Sequence, residues 1–156
     1  MATATNDSGP VVVGLDGSEA SLLALRHSVH EATWRGVELH VVHVLDVTPA
    51  VLHLAGNQTI STRDLAESDR EEVWNRATPI LEEAELEVVR VDREGKPADA
   101  LSDYCSEVGA SVLVVGPRGR GRVAEALLGS TAQSVVKSAQ CDVLVVKSQR
   151  PSPKSG

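Results

Sequence analysis

Val112-Leu113-Val114-Val115-Gly116-Pro117-Arg118-Gly119, with Gly129-Ser130-Thr131 ten residues after Gly119, is the stretch whose reading decides the fold. Four aliphatic residues in a row, three of them β-branched, read as a short strand buried on both faces. The strand breaks at once into glycine and proline. Glycines at 116, 119 and 129 let the backbone approach a ligand without a Cβ in the way. Ser130 and Thr131 supply hydroxyls where a further helix begins, and a helix start offers N–H donors and partial positive charge to an anion. The pattern reads as a phosphate cradle, and a nucleotide is the leading ligand expected.

The distribution of charge supports that reading. The chain has 156 residues and a net charge of −7, but its last third, residues 110–156, carries seven bases against two acids. Arg118, Arg120 and Arg122 lie within the glycine-rich loop, where positive charge suits a polyanionic ligand. An exposed basic loop with no ligand is the plainer alternative. The overall negative charge argues against nonspecific nucleic-acid binding, and with no Phe and one Tyr a base-stacking platform is not expected.

No run approaches the roughly 18 apolar residues that a membrane span requires. The two cysteines, Cys105 and Cys141, read as buried, reduced thiols, and residues 1–9 lack the apolar stretch of a signal peptide. A soluble, cytoplasmic protein is expected. Residues 10–147 form one domain in this reading, between a disordered N-terminus (1–9) and a disordered Pro/Ser tail (148–156).

Upstream of the decisive strand, Val11-Val12-Val13-Gly14-Leu15 is a first buried strand ending in the turn Asp16-Gly17-Ser18. Ser18 caps a helix with Leu22, Leu25, Val29 and Ala32 on one face, closed by Gly36. A second strand follows, Leu39-His40-Val41-Val42-His43-Val44, with His43 expected to be half-buried. Residues 49–62 lack periodicity and read as a loop, of lid or variable-insertion length. A helix over residues 64–84 leads to a more polar, edge-like strand, Leu86-Glu87-Val88-Val89-Arg90-Val91. Pro97 opens a helix carrying Ala98, Leu101, Cys105 and Val108, which ends at Gly109.

Downstream of the loop come a helix with Ala132, Val135, Val136 and Ala139 and a last strand, Val143-Leu144-Val145-Val146. Five strands alternating with helices specify an α/β fold: an open parallel five-stranded sheet in three layers, with helices on both faces. The strand order 3-2-1-4-5 puts the carboxyl ends of strands 1 and 4 at a topological switch point. Asp16 should therefore meet Gly116 and Gly119.

Other nucleotide motifs fail. There is no G-x-x-x-x-G-K-[ST], so the lysine of a P-loop is missing. Gly119-Arg120-Gly121-Arg122-Val123-Ala124 matches G-x-G-x-x-A, but no acid ends the following strand as a dinucleotide fold needs. His40 and His43 point to opposite sides of their strand, and His27 and His30 lack a third ligand, so no metal site is expected. No nucleophile elbow surrounds Ser18 or Ser130.

The glycines at 116, 119 and 129 with Ser130, taken together with Val13-Gly14-Leu15-Asp16-Gly17-Ser18-Glu19-Ala20-Ser21, resemble the universal stress protein family. The similarity runs over residues 10–147 and includes the family's G-x2-G-x9-G-[ST] signature, which marks members that bind ATP. The resemblance implies an adenine-nucleotide α-hydrolase-like fold and a site built from Gly14, Leu15, Asp16, Val44, Val115, Gly116, Arg118, Gly119, Gly129, Ser130 and Thr131. Asp16 and the Val44 backbone would sit near the adenine. Gly116 and Gly119 would follow the ribose and phosphates, and Gly129, Ser130 and Thr131 would hold phosphate oxygens. Any Mg²⁺ would come with the ATP.

Pro117 departs from the family, which more often has a small hydroxyl residue there, and it withdraws one N–H and one hydroxyl from the loop. No evident set of catalytic groups accompanies Asp16, so a nucleotide-responsive stress regulator is expected rather than an efficient enzyme. A slow ATPase or nucleotidyl transferase is the alternative, as is a module binding a cyclic nucleotide or a protein. The apolar last strand, at a sheet edge, implies a homodimer paired along it.

Overall fold

A computed structural model describes residues 7–46, 51–53, 59–119 and 128–148. Its central sheet has the order β5-β2-β1-β6-β7, formed by β1 (Val11–Leu15), β2 (Leu39–Leu45), β5 (Val88–Glu94), β6 (Val112–Val115) and β7 (Asp142–Val145). All four pairings are parallel. With the small hairpin set aside, this is the order 3-2-1-4-5. It places β1 and β6 side by side, Val11 opposite Val112 and Val13 opposite Val114.

Alternation along the strands builds two cores. Val11, Val13, Val41, Val112 and Val114 face α1 (Glu19–Arg35) and α2 (Thr62–Glu82), where Leu25, Val73 and Ala77 meet them. Val12, Val42, Leu113 and Val115 face the opposite way, against Leu101 and Tyr104 of α3 (Pro97–Val108) and Val135 of α4 (Ser130–Ser138). A sheet covered on both faces explains why these strands read as unbroken aliphatic runs rather than polar–apolar alternation.

Local chemistry sets the helix ends. Ser18 caps α1 by accepting from Ser21 N, and Gly36 ends it in the left-handed region at φ 67°, its N–H reaching back to the last turn. Pro97 opens α3 and Gly109 closes it at φ 63°. The expected loop 49–62 is not wholly irregular. Val51–His53 pairs antiparallel with Thr59–Ser61 as a two-stranded hairpin (β3 and β4), and Ser61 then caps α2 by accepting from Asp64 N. Three-residue strands are too short to show a period, which is why the sequence pattern missed them.

The polar edge strand runs from Val88 to Glu94 rather than from Leu86, because its register against β2 pairs Leu39 with Val88 and Leu45 with Glu94. His43, expected to be half-buried, is only 3% exposed. Its neighbours β1 and β5 flank β2 on both sides, and α2 packs over it. Cys105 is buried as expected, whereas Cys141, in the bend before β7, is half-buried. Residues 7–9, assigned to a disordered N-terminus, form a turn and bend into β1, and Gly9 is buried. The remainder of that terminus, most of the C-terminal tail, and Arg120 and Arg122 lie outside the described residues.

Candidate functional site

The carboxyl ends of β1 and β6 open into a cleft of about 310 Å³, within the size range of small-molecule sites. All the residues expected to form the site line it: Gly14, Leu15, Asp16, Val44, Val115, Gly116, Arg118, Gly119, Gly129, Ser130 and Thr131. Ser21, Val42, Pro97, Leu101 and Ala132 line it as well. Ser21 ends the stretch over residues 13–21 that carries the family resemblance, and the other four carry no motif signal. Leu101 and Val42 belong to the apolar core beneath the cleft, and Pro97 arrives through α3, so only the three-dimensional crossing of β2, α3 and α4 brings them in.

Asp16 has two roles in the geometry, one for each carboxylate oxygen. Oδ1 accepts from Ser18 N at 2.9 Å and from Ser18 Oγ at 2.5 Å, the turn-closing arrangement typical of aspartate. Oδ2 faces the glycine loop: a Cβ on Gly119 would stand 2.8 Å from it. The turn is anchored from outside by Arg76 of α2, which donates to the Gly17 carbonyl and to the Glu19 carboxylate. Nothing in the spacing of Arg76 announced this role, because it depends on how α2 packs beside α1.

The glycine loop is tied across its base. Gly129 N donates to the carbonyl of Pro117 at 2.7 Å, so the residue that departs from the family pattern fastens the two ends of the loop together. Gly116 serves packing as much as access, since a Cβ there would meet the backbone carbon and Cβ of Ala20 at 3.0 Å. α4 starts at Ser130 with Gly129 as its cap, a residue with no side chain to bond the first turn. First-turn N–H groups have no acceptor within their own helix, so this end of α4 presents donors and the positive end of its dipole towards the cleft.

A second cavity, of about 530 Å³, adjoins the first and shares Asp16 and Val44 with it. It is lined further by Leu45, Asp46, Thr62, Leu65, Ala66 and Asp69. His43 sits in its wall, with Nδ1 donating to the Leu15 carbonyl at 2.9 Å. That bond leaves Nε2 as the acceptor nitrogen of the neutral ring, and it has no partner among the described residues. Among those residues no group of three or more His, Cys, Asp or Glu is gathered so as to hold a metal ion. Nor is any described helix long and apolar enough to cross a membrane.

A five-stranded parallel sheet of this order, covered on both faces, with a glycine-bordered cleft at its switch point, defines an open, doubly wound α/β domain. Within that class the chain belongs to the universal stress protein family, which it matches over residues 8–147. A universal stress protein of Methanocaldococcus jannaschii is 31% identical over 137 residues, spanning 88% of this chain and 81% of the relative. Among solved structures, the universal stress protein from Archaeoglobus fulgidus in complex with dAMP superposes with a TM-score of 0.66 at 26% identity, over 89% of this chain and 98% of that one. A universal stress protein in complex with cAMP gives a TM-score of 0.64 at 27% identity, over 91% and 98%.

Proposed function

We propose that the cleft binds an adenine nucleotide, ATP foremost, and that the protein is a nucleotide-responsive stress regulator rather than an efficient catalyst. The observation that carries this reading is the meeting of Asp16, Gly119 and the start of α4 around one cleft. A phosphate chain fits the donor set there: first-turn N–H groups, the hydroxyls of Ser130 and Thr131, and the Arg118 guanidinium. Asp16 and the Val44 backbone take the adenine end, with Leu15 and Val115 as apolar walls. Gly14, Gly116 and Gly119 keep the backbone low enough for the ribose and phosphates to pass. Relatives solved with dAMP and cAMP support an adenine ligand.

Mg²⁺ travels with the phosphates in this reading, and no step of hydrolysis is assigned to the protein. Among the described residues the cleft lining beyond Asp16 holds no second carboxylate, no histidine and no lysine to position a nucleophile. The site therefore suits holding a nucleotide more than turning it over. The complex with cAMP in a relative favours a cyclic nucleotide as the second reading.

The protein acts as a cytoplasmic homodimer in this proposal, paired along β7. That strand bonds to β6 on one side, and its Val143, Leu144 and Val145 are only half-buried in the single chain. An apolar edge of this kind is a liability unless a second chain covers it. The test of the ligand is direct: denature purified protein, release small molecules and identify them by mass spectrometry. An adenine nucleotide supports the proposal. Its absence, with no binding when ATP and cAMP are added back, overturns it.

A further inference from the structure

The two cysteines lie far apart in sequence and come together in one apolar cluster of the fold. Cys105 sits on α3, buried beside Leu101 and Tyr104, and Cys141 packs against the same cluster from the bend between α4 and β7. Both are free thiols. The Cys105 carbonyl accepts from Ala110 N, and Asp142, next to Cys141, pairs with Val112, so both cysteines flank the short run that leads from α3 into β6, and each thiol perturbs the ionisation of the other. We propose that Cys105 and Cys141 are a thiol pair that a hydroperoxide converts into an intramolecular disulfide.

The asymmetry of the pair sets the order of events. Cys141 is the partly exposed member and the one whose thiolate is favoured by its surroundings, so it is the sulfur that meets the oxidant. Its thiolate attacks the peroxide: an S–O bond forms, the O–O bond breaks, and hydroxide leaves to take up the proton lost by Cys141. Cys105 then attacks the Cys141 sulfenic acid. The S–S bond forms, the S–O bond breaks, and the leaving hydroxide takes the Cys105 proton. Two thiols are oxidised by two electrons and one hydrogen peroxide is reduced to two waters, or one organic hydroperoxide to water and an alcohol.

Closing the bond requires the sulfurs to approach to about 2.05 Å. Cys105 is fixed, because its carbonyl accepts from Gly109 N and from Ala110 N at the end of α3. Cys141 lies in a bend, outside the helix and strand that flank it. The new link would enclose the whole run from the end of α3 through β6 and the glycine loop to α4, and would tie that run to the helix that carries Pro97 and Leu101 into the cleft. Restricting the unfolded chain in this way raises the melting temperature.

The experiment uses the full reduced chain, an equimolar hydrogen peroxide pulse, and iodoacetamide added in denaturant. The expected product has lost two hydrogens, takes up no alkyl group and yields a peptide joining Cys105 to Cys141. Two alkylated thiols, or a disulfide between chains, would overturn the proposal. Cys105→Ser is expected to accumulate a sulfenic acid that dimedone traps on Cys141, whereas Cys141→Ser keeps an alkylatable Cys105. A dimedone adduct on Cys105 in Cys141→Ser would overturn the order of attack.

Discussion

Gly119 and Asp16 share one contact point: a Cβ on the glycine would lie 2.8 Å from Oδ2 of the aspartate, joining the glycine loop to the end of β1. The same carboxylate is held through Oδ1 by Ser18 N and Oγ. Asp16→Ala therefore breaks both the turn and the wall of the cleft. It should lower stability by about 1–3 kcal/mol in urea titrations and weaken nucleotide binding as well. Ser18→Ala removes the cap of α1 but leaves the carboxylate, so it should cost about 1 kcal/mol while binding falls less.

Ser130 is exposed at the first position of α4, where it adds a hydroxyl to the donors of the helix start. Ser130→Ala should leave the melting curve unchanged and weaken ATP about three- to tenfold, the worth of one hydrogen bond. Calorimetric titration checks this. Full affinity in the variant would remove the hydroxyl from the site.

Leu113 is fully buried between β1 and β7, in the core beneath the cleft. Leu113→Ala deletes three buried carbon atoms with little room for collapse in a sheet interior. A loss of about 3 kcal/mol in denaturant unfolding is expected.

The Cys105 S–H and two backbone N–H groups lower the Cys141 thiol to about 7, against the opposing effects of burial and the Asp142 charge. Cys105 moves the other way, raised by its hydrogen bond to Cys141 and by burial. The reactive thiolate of Cys141 forms as pH rises, so iodoacetamide should modify it in native protein with a midpoint near pH 7, while Cys105 stays unmodified. A midpoint at the ordinary thiol value of about 8.5 would contradict the donor arrangement.

The sheet was legible because fully buried parallel strands leave uninterrupted aliphatic runs, and helix ends were legible from Ser18, Gly36, Pro97 and Gly109. The meeting of Asp16 with Gly119 followed from strand order alone. The roles of Arg76 and Leu101 were not legible, because each reaches its place through packing between elements rather than through a local pattern. The burial of His43 escaped for the same reason: β1, β5 and α2 all cover it. The hairpin at Val51–His53 and Thr59–Ser61 is too short to carry a period.

The most direct measurement of the central claim is a calorimetric titration of ATP into the wild-type chain and into Gly119→Val. The variant drives a branched side chain into Asp16 and the floor of the cleft. Binding of one ATP per wild-type chain is predicted, with at least about tenfold weaker binding in a variant whose circular dichroism is unchanged. Equal affinity in the two proteins, or no binding to the wild type, would contradict the account.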